Sequence, residues 1–293
     1  MSVHKPNWII TAVAASNIGY TRDVNEDNFF LNGQILDTNI HGTVSLADVS
    51  NSGIYAVSDG MGGEENGELA SLIAVSTLDK LYQNMNEHDI PFAKSLNIYL
   101  HEANARICTA IEDNNGRRIG TTIAIVYIQD GFAYVANIGD SRVYLFRDSR
   151  LIQLTEDHTP IRLLVRKGII TEEQARIHPE RHMLTQHLGI FPSELLIEPY
   201  VAKPLEIQDG DTFILCSDGL TDMVTDDEII QIITSGLKKT SFQRLKFWDK
   251  TYKNKTGNIA EQLVDSALIN GGKDNITVLV AKAQMGGRKC CYG

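Results

Sequence analysis

The chain has no apolar run approaching the roughly 20 residues that a membrane-spanning helix requires. Its first residues, Met1 to Asn7, are polar and show no signal-peptide pattern, so a cytoplasmic protein without a membrane span is expected. Cysteine is scarce. There are four, and none has zinc-finger spacing. Cys108 falls in a helical pattern and Cys216 in an apolar strand, as buried thiols do. Cys290 and Cys291 adjoin in a loose tail whose Cys-Cys-Tyr-Gly end only faintly echoes a lipidation signal. A basic excess is also missing. The net charge is −10, which speaks against a general nucleic-acid binder. No composition break, Pro/Ser-rich linker or repeat divides the 293 residues. One domain over 1–284 is therefore expected, followed by a tail over 285–293.

The 43% hydrophobic content is organised in short runs. Segments 9–15, 28–32, 54–58, 122–128, 132–138, 142–147, 212–217 and 276–282 are rich in Val, Ile, Tyr and Phe and bounded by Gly, Asp or Asn, which predicts strands. Gln129-Asp130-Gly131 and Asp148-Ser149-Arg150 read as hairpin tips, so antiparallel pairing is expected. Ala70, Ile73, Ala74, Thr77, Leu78 and Leu81 recur at helical spacing, as do Leu96, Leu100, Ala103, Ile107, Ala110 and Ile111. Two further helices are expected near 226–235, capped by Thr225, and over 259–269, stopped by Asn270-Gly271-Gly272. An early helix pair, a late pair and strands between them predict an α+β fold. It would be a four-layer α-β-β-α sandwich of two antiparallel sheets. Residues 159–190 break the strand rhythm and read as an irregular inserted flap. The stretch from Leu31 to Gly53 is roomy for a connection and reads as a surface insertion. A local basic run over 238–255 reads as a solvated segment or a docking surface for an acidic or phosphorylated partner.

Aspartate closes apolar runs repeatedly. Ser58-Asp59-Gly60 and Ser217-Asp218-Gly219 are two copies of one pattern, each putting a carboxylate where a strand leaves its sheet and a glycine where the backbone must turn. Further acids stand at Glu26-Asp27, Asp140, Asp222 and Asp274. Singly, each of these fits an ordinary turn or cap. Converging carboxylates repel one another unless a cation lies between them, which points to a hard divalent metal and metal-assisted hydrolysis. In an extended segment Glu26 and Asp27 point to opposite faces, so only one reaches a metal directly. Arg22 offers a planar fork suited to phosphate, or to a surface salt bridge.

Other phosphate chemistries lack their residues. A cysteine nucleophile six residues before an arginine is absent, since Cys108 meets Asn114 and Cys216 meets Asp222. Asp-x-Asp fails at Met61 and Leu220, and the Walker pattern fails at Ala267 and at Asp274 after Lys273. An acid-only, oxygen-rich site remains, which favours Mg²⁺ or Mn²⁺ over zinc.

With Arg22-x-x-Asn25-Glu26-Asp27, Asp59-Gly60-Met61-Gly62-Gly63 with Gly67-Glu68, Gly120-Thr121-Thr122, Gly139-Asp140-Ser141-Arg142, Ser217-Asp218-Gly219-Leu220-x-Asp222 and Asp274-Asn275 in this order, the chain resembles the metal-dependent Ser/Thr protein phosphatases of the protein phosphatase 2C family, in their bacterial form. The resemblance spans nearly the whole chain and implies the same sandwich. It implies that Asp59 bridges two Mn²⁺ or Mg²⁺ ions, with the Gly60 carbonyl on the second. Asp218 and Asp274 would complete the first ion, and Glu26 would serve the second, directly or through water. Asp27 would hold metal-bound water, and Arg22 would grip the substrate phosphate. Asp140, Asp218 and Asp222 would form a third, weaker metal site. A water bridging the core ions would hydrolyse phosphoserine and phosphothreonine on proteins phosphorylated by a Ser/Thr kinase, with the enzyme a monomer. Met61 stands where some members, notably animal ones, carry a candidate general-acid histidine. His178, His182 and His187 in the flap are possible donors, although a lone histidine more often has a structural role. The alternative is a catalytically weak pseudo-phosphatase that holds phosphoproteins or acts in partner switching.

Overall fold

Runs of β-branched and aromatic residues become strands, and the helical stripes become helices, in a computed structural model that describes residues 7–36, 42–62, 66–88, 90–243 and 258–286. The first half comprises β1 (Trp8–Asn17), β2 (Asp27–Leu31), β3 (Gln34–Ile35), β4 (Val44–Ser50), β5 (Gly53–Met61), α1 (Gly67–His88), α2 (Phe92–Asp113), β6 (Gly120–Thr121), β7 (Ile123–Gln129) and β8 (Phe132–Ile138). Then follow β9 (Arg142–Arg147), β10 (Arg150–Gln153), α3 (Pro160–Arg166), α4 (Glu172–Arg176), β11 (Tyr200–Val201), β12 (Leu205–Glu206), β13 (Thr212–Cys216), α5 (Asp218–Thr221), α6 (Asp226–Gln243), α7 (Ile259–Ile269) and β14 (Ile276–Met285).

The strands form two antiparallel sheets. One is six-stranded, in the order β10-β9-β13-β14-β1-β4. The other runs β11-β8-β7-β5-β2-β3, with β12 on β8 and β6 on β5. Between them Phe29, Tyr55, Val57, Val126, Phe213, Leu215 and Leu279 make the central apolar layer. The predicted stripe Ala70–Leu81 on α1, with Leu96, Leu100 and Ile107 on α2, covers Ile54, Ala56 and Ile125 on the outer face of the second sheet. Ile229 and Ile233 on α6, with Leu263 and Val264 on α7, cover Ile214, Val278 and Val280 on the first. The four-layer α-β-β-α sandwich is therefore present, and each helix stripe is buried against a sheet.

Local signals explain the ends of several elements. At the Asp148-Ser149 tip both residues have positive φ (52° and 60°), the signature of a two-residue turn between twisted strands. Thr225 and Glu228 cap α6 reciprocally: the Thr225 N–H donates to Glu228 Oε2 at 2.8 Å and the Glu228 N–H to Thr225 Oγ1 at 3.4 Å.

The Leu31–Gly53 stretch is not a surface insertion. It contains β3 and β4, and β4 forms the edge of the first sheet, pairing with β1 from Ile10↔Ser50 to Ser16↔Val44. Asp48 and the serines dilute the alternation that would otherwise mark this strand. The 159–190 segment is irregular as expected, with two short helices and a return through a bridge between Leu188 and Thr121. Gly63, residues 37–41, positions 244–255 of the basic run, and Cys290 and Cys291 lie outside the described residues.

Candidate metal centre

Strand register brings the acids together. Asp27 opens β2 and pairs with Asp59 near the end of β5. β7 begins beside β5, and its partner β8 ends at Ile138, opposite Ile123, just before Gly139-Asp140. In the other sheet β13 ends at Cys216, paired with Val278 near the start of β14 and with Arg142 at the start of β9. Asp218 and Asp274 therefore reach the same end of the sandwich as Asp140. Every acid singled out in the sequence sits there.

Backbone approach at this end is very close. A Cβ on Gly60 would lie 2.2 Å from the Gly67 carbonyl and 2.5 Å from that of Glu26; one on Gly219 would lie 1.9 Å from the Asn275 carbonyl. Both Ser-Asp-Gly glycines are fixed by this crowding. The Asp59 main chain is held from the β6–β7 side. Its N–H donates to Thr122 Oγ1 at 3.0 Å, and its carbonyl accepts from Thr121 Oγ1 at 2.8 Å and the Thr122 N–H at 2.9 Å. Thr122 Oγ1 lies in turn 2.6 Å from Ser141 Oγ.

Glu26 and Asp27 point apart, as alternation requires. The Glu26 carboxylate accepts from the Gly67 N–H at 3.0 Å, at the start of α1. Asp27 accepts from Ser217 Oγ at 2.7 Å, across to the other sheet. Asn275 ties the rim together. Its Oδ1 accepts from the Glu26 N–H at 2.8 Å, and its amide donates to the carbonyls of Ile18 and Val24 at 2.9 and 3.0 Å. Arg22, half exposed, donates to Asp274 at 2.8 Å. Asp222 follows Asp218 by one helical turn, so both face the same way. On the flap, His182 Nδ1 lies 3.1 Å from Asp218 Oδ2 and Nε2 lies 3.3 Å from Asp222 Oδ2, while Arg181 approaches Asp222 at 3.6 Å.

The electrostatics follow from this crowding. Withdrawal from water, followed by the charges of Asp27, Asp218, Asp140 and Asp274, pushes Asp59 well above the usual carboxylate range. Asp140 is raised by burial and then by Asp218 and Asp157. Burial lifts Asp27 to about 7 against the opposing hydrogen bond from Ser217. Glu26 and Asp222 are also raised, chiefly by burial. Asp218 is the exception. Burial pushes it up, but the hydrogen bond and charge of His182 carry it below the ordinary value. His182 is raised in return, foremost by its bond to Asp218.

A set of oxygen donors that destabilise one another's charge fits a hard divalent cation and gives a thiol-preferring metal nothing to bind. Cys216 is buried and its thiol is pushed up to about 12, so it offers no thiolate. Among the described residues no three acidic, histidine or cysteine side chains already close on a single point. Asp274 accepts from Arg22, and Asp218 lies against His182.

Sequence reasoning left several residues without a role: Thr121, Thr122, Ser141, Ser217, Asn275 and the Asp157-His158 pair. The Arg142 fork grips Asp157 at 2.6–3.1 Å, and His158 Nδ1 accepts from the Gly139 N–H at 3.0 Å; together they brace the turn that carries Asp140. The first five lie in or beside the quoted motifs. Asp157-His158 has no local signal, because its partners lie across a hairpin. Of the flap histidines, His178 and His187 bond to nearby backbone, and His182 alone meets the acids.

Residues 41–265 match the family model described as protein phosphatase 2C. That match leaves Arg22, Glu26, Asp27 and Asp274 outside it. A serine/threonine phosphatase, stp, of Listeria monocytogenes is 33% identical over 242 residues, covering 80% of this chain and 86% of its own length. Protein phosphatase PhpP of Streptococcus pneumoniae is 36% identical over 227 residues, covering 76% and 82%. The crystal structure of the Mycobacterium tuberculosis serine/threonine phosphatase PstP/Ppp superposes with a TM-score of 0.72 at 29% identity, over 94% of this chain and 98% of that one. A PstP catalytic domain in complex with 2 manganese ions gives 0.71 at 28% identity, over 94% and 99%. Among the described residues no helix is long and apolar enough to cross a membrane.

Proposed function

The chain belongs to the protein phosphatase 2C family of protein-serine/threonine phosphatases, which depend on Mn²⁺ or Mg²⁺, and from that premise we propose that it hydrolyses phosphoserine and phosphothreonine on bacterial cytoplasmic proteins, as a monomer opposing a Ser/Thr kinase. One observation carries this reading. Asp27, Asp140, Asp218 and Asp274, drawn from both sheets, act on the buried Asp59 carboxylate, which burial first and then their charges raise. Mn²⁺ or Mg²⁺ bound there would supply a hydrolytic water and positive charge against the phosphoryl oxygens.

The chain's own residues do the rest. Asp59 would serve both ions, with the Gly60 carbonyl on the second. Asp218 and Asp274 would hold the first ion with it, and Glu26 would serve the second. Asp27 orients water through the carboxylate that Ser217 holds at 2.7 Å. Asp140 and Asp222 would join Asp218 in holding a weaker third ion. Arg22 leaves Asp274 for the substrate phosphate, to which its planar fork offers two parallel N–H donors.

The test is dephosphorylation of a phosphothreonine peptide and of p-nitrophenyl phosphate with Mn²⁺, with and without chelator. Turnover is expected to need the metal and to collapse in Asp59→Asn. Wild-type rates from Asp59→Asn, or turnover indifferent to chelator, would overturn the reading. Phosphopeptide binding without turnover would favour a pseudo-phosphatase.

A further inference from the structure

The loop over 18–24 that carries Arg22 also carries the most exposed aromatic side chain among the described residues. Tyr20 is 73% exposed. Its backbone is nevertheless fixed, because the Tyr20 N–H donates to the Gly272 carbonyl at 2.7 Å. Its ring lies against Gly272 beside Leu268: a Cβ at Gly272 would stand 2.9 Å from Tyr20 Cδ2 and 3.0 Å from Leu268 Cδ2. Two residues after Gly272 comes Asp274, which receives Arg22 at 2.8 Å. Ring, guanidinium and carboxylate thus share one rim. Val24, in the same loop, and Ile269, at the end of α7, add exposed aliphatic surface. One exposed apolar side chain needs no explanation. An aromatic with a pinned backbone, two residues from the phosphate-binding arginine, is in a position to touch substrate.

We propose that Tyr20, its ring set against Gly272 and Leu268, is the docking ledge for the substrate polypeptide beside its phosphorylated residue, and that it selects an apolar side chain there. The proposal rests on the reading of Arg22 as the phosphate grip. Residues next to a phosphoserine remain tied to it within about 3.5 Å of chain per residue. Once the phosphate reaches Arg22, their side chains are set down on the surface beside it, and on the 268–274 side that surface is Tyr20. Charge selects the chemistry. Asp274, Glu26 and Asp59 act on Arg22 in a chain of net charge −10, which disfavours acidic neighbours. The ring offers apolar contact with few rotamers to lose.

The experiment compares kcat/KM for two phosphothreonine peptides, one with leucine and one with glycine on both sides, and for p-nitrophenyl phosphate, all with Mn²⁺. The wild type is expected to prefer the leucine-flanked peptide about tenfold, mostly through KM, the size of one well-covered aliphatic contact. Tyr20→Phe should keep that preference. Tyr20→Ala should bring the two peptides within about twofold and change p-nitrophenyl phosphate turnover less than it changes the leucine-flanked peptide. Tyr20→Lys should shift preference towards a glutamate-flanked peptide. A preference that survives Tyr20→Ala, or a wild type that treats the peptides alike, overturns the proposal. Failure of the Arg22 reading looks different: Arg22→Ala would then hydrolyse the small ester and both peptides with wild-type KM.

Discussion

Ser58-Asp59-Gly60 and Ser217-Asp218-Gly219 are the same tripeptide on different sheets, and the fold uses them differently. Asp59 stays within β5, whose pairing continues to Met61. Asp218 leaves its strand and opens α5. Ser58 serves its own sheet, lying 2.7 Å from Thr121 Oγ1 and donating to the Thr122 carbonyl at 2.8 Å. Ser217 crosses to the other sheet and holds Asp27. Asp59 is buried among Asp27, Asp218, Asp140 and Asp274, whereas Asp218 also meets a cation-forming side chain, His182, at 3.1 Å. The first copy stores repulsion that a divalent cation relieves; the second has part of its counter-charge supplied by the flap. Identical local sequence therefore gives unequal electrostatics, because the neighbours come from tertiary structure.

The largest expected difference is in turnover. Asp59→Asn, which on the proposed reading would weaken both core ions, should lower kcat by about a thousandfold or more, and Asp218→Asn by about a hundredfold. In chelator the ranking should invert for stability. Asp59→Asn removes a crowded carboxylate and should raise the melting temperature, while Asp218→Asn breaks the His182 contact and should not. Thermal melts of both variants with and without Mn²⁺ check this.

Next come the glycines. Gly60→Ala and Gly219→Ala each force a Cβ onto backbone carbonyls and should cost about 3 kcal/mol in denaturant titrations. Near-neutral values would contradict the close approach. The serines should separate the copies again. Ser217→Ala strips Asp27 and the Thr277 N–H of a partner and should cost about 1–3 kcal/mol, against about 1 kcal/mol for Ser58→Ala.

The smallest expected effect is in pH dependence. Asp27 is raised in the folded state, so its contribution is fully present below the unfolded carboxylate value near about 4 and is lost as pH rises through about 7. Asp59, also raised, acts in the same sense. Asp218 is lowered, so its contribution is present above about 4 and is lost only as pH falls through its folded value. Chelated protein should therefore melt lower at pH 7.5 than at pH 5.5, and Mn²⁺ should raise the melting point most at pH 7.5. A flat profile in chelator would contradict the crowding of Asp27 and Asp59.

Much of this was legible in the sequence, because the periodicities were strong. The α1 and α2 stripes, the hairpin tips and the Thr225 cap carry local signals that the fold keeps. β4 was hidden because an edge strand with Asp48 and serines on it shows weak alternation. The acids could be named from strand ends, and the opposite faces of Glu26 and Asp27 from alternation alone. What could not be read was which cation each acid meets. Arg22 on Asp274 spans 252 residues of chain, and His182 on Asp218 depends on how the flap lies. Such contacts leave no mark on nearby residues.

The most direct test of the convergence on Asp59 is an anomalous-scattering map of crystals grown with Mn²⁺. Two strong peaks flanking the Asp59 carboxylate are expected, one shared with Asp218 and Asp274, the other beside the Gly60 carbonyl. Manganese peaks away from Asp59, or the same two peaks in Asp59→Asn crystals, would contradict the account.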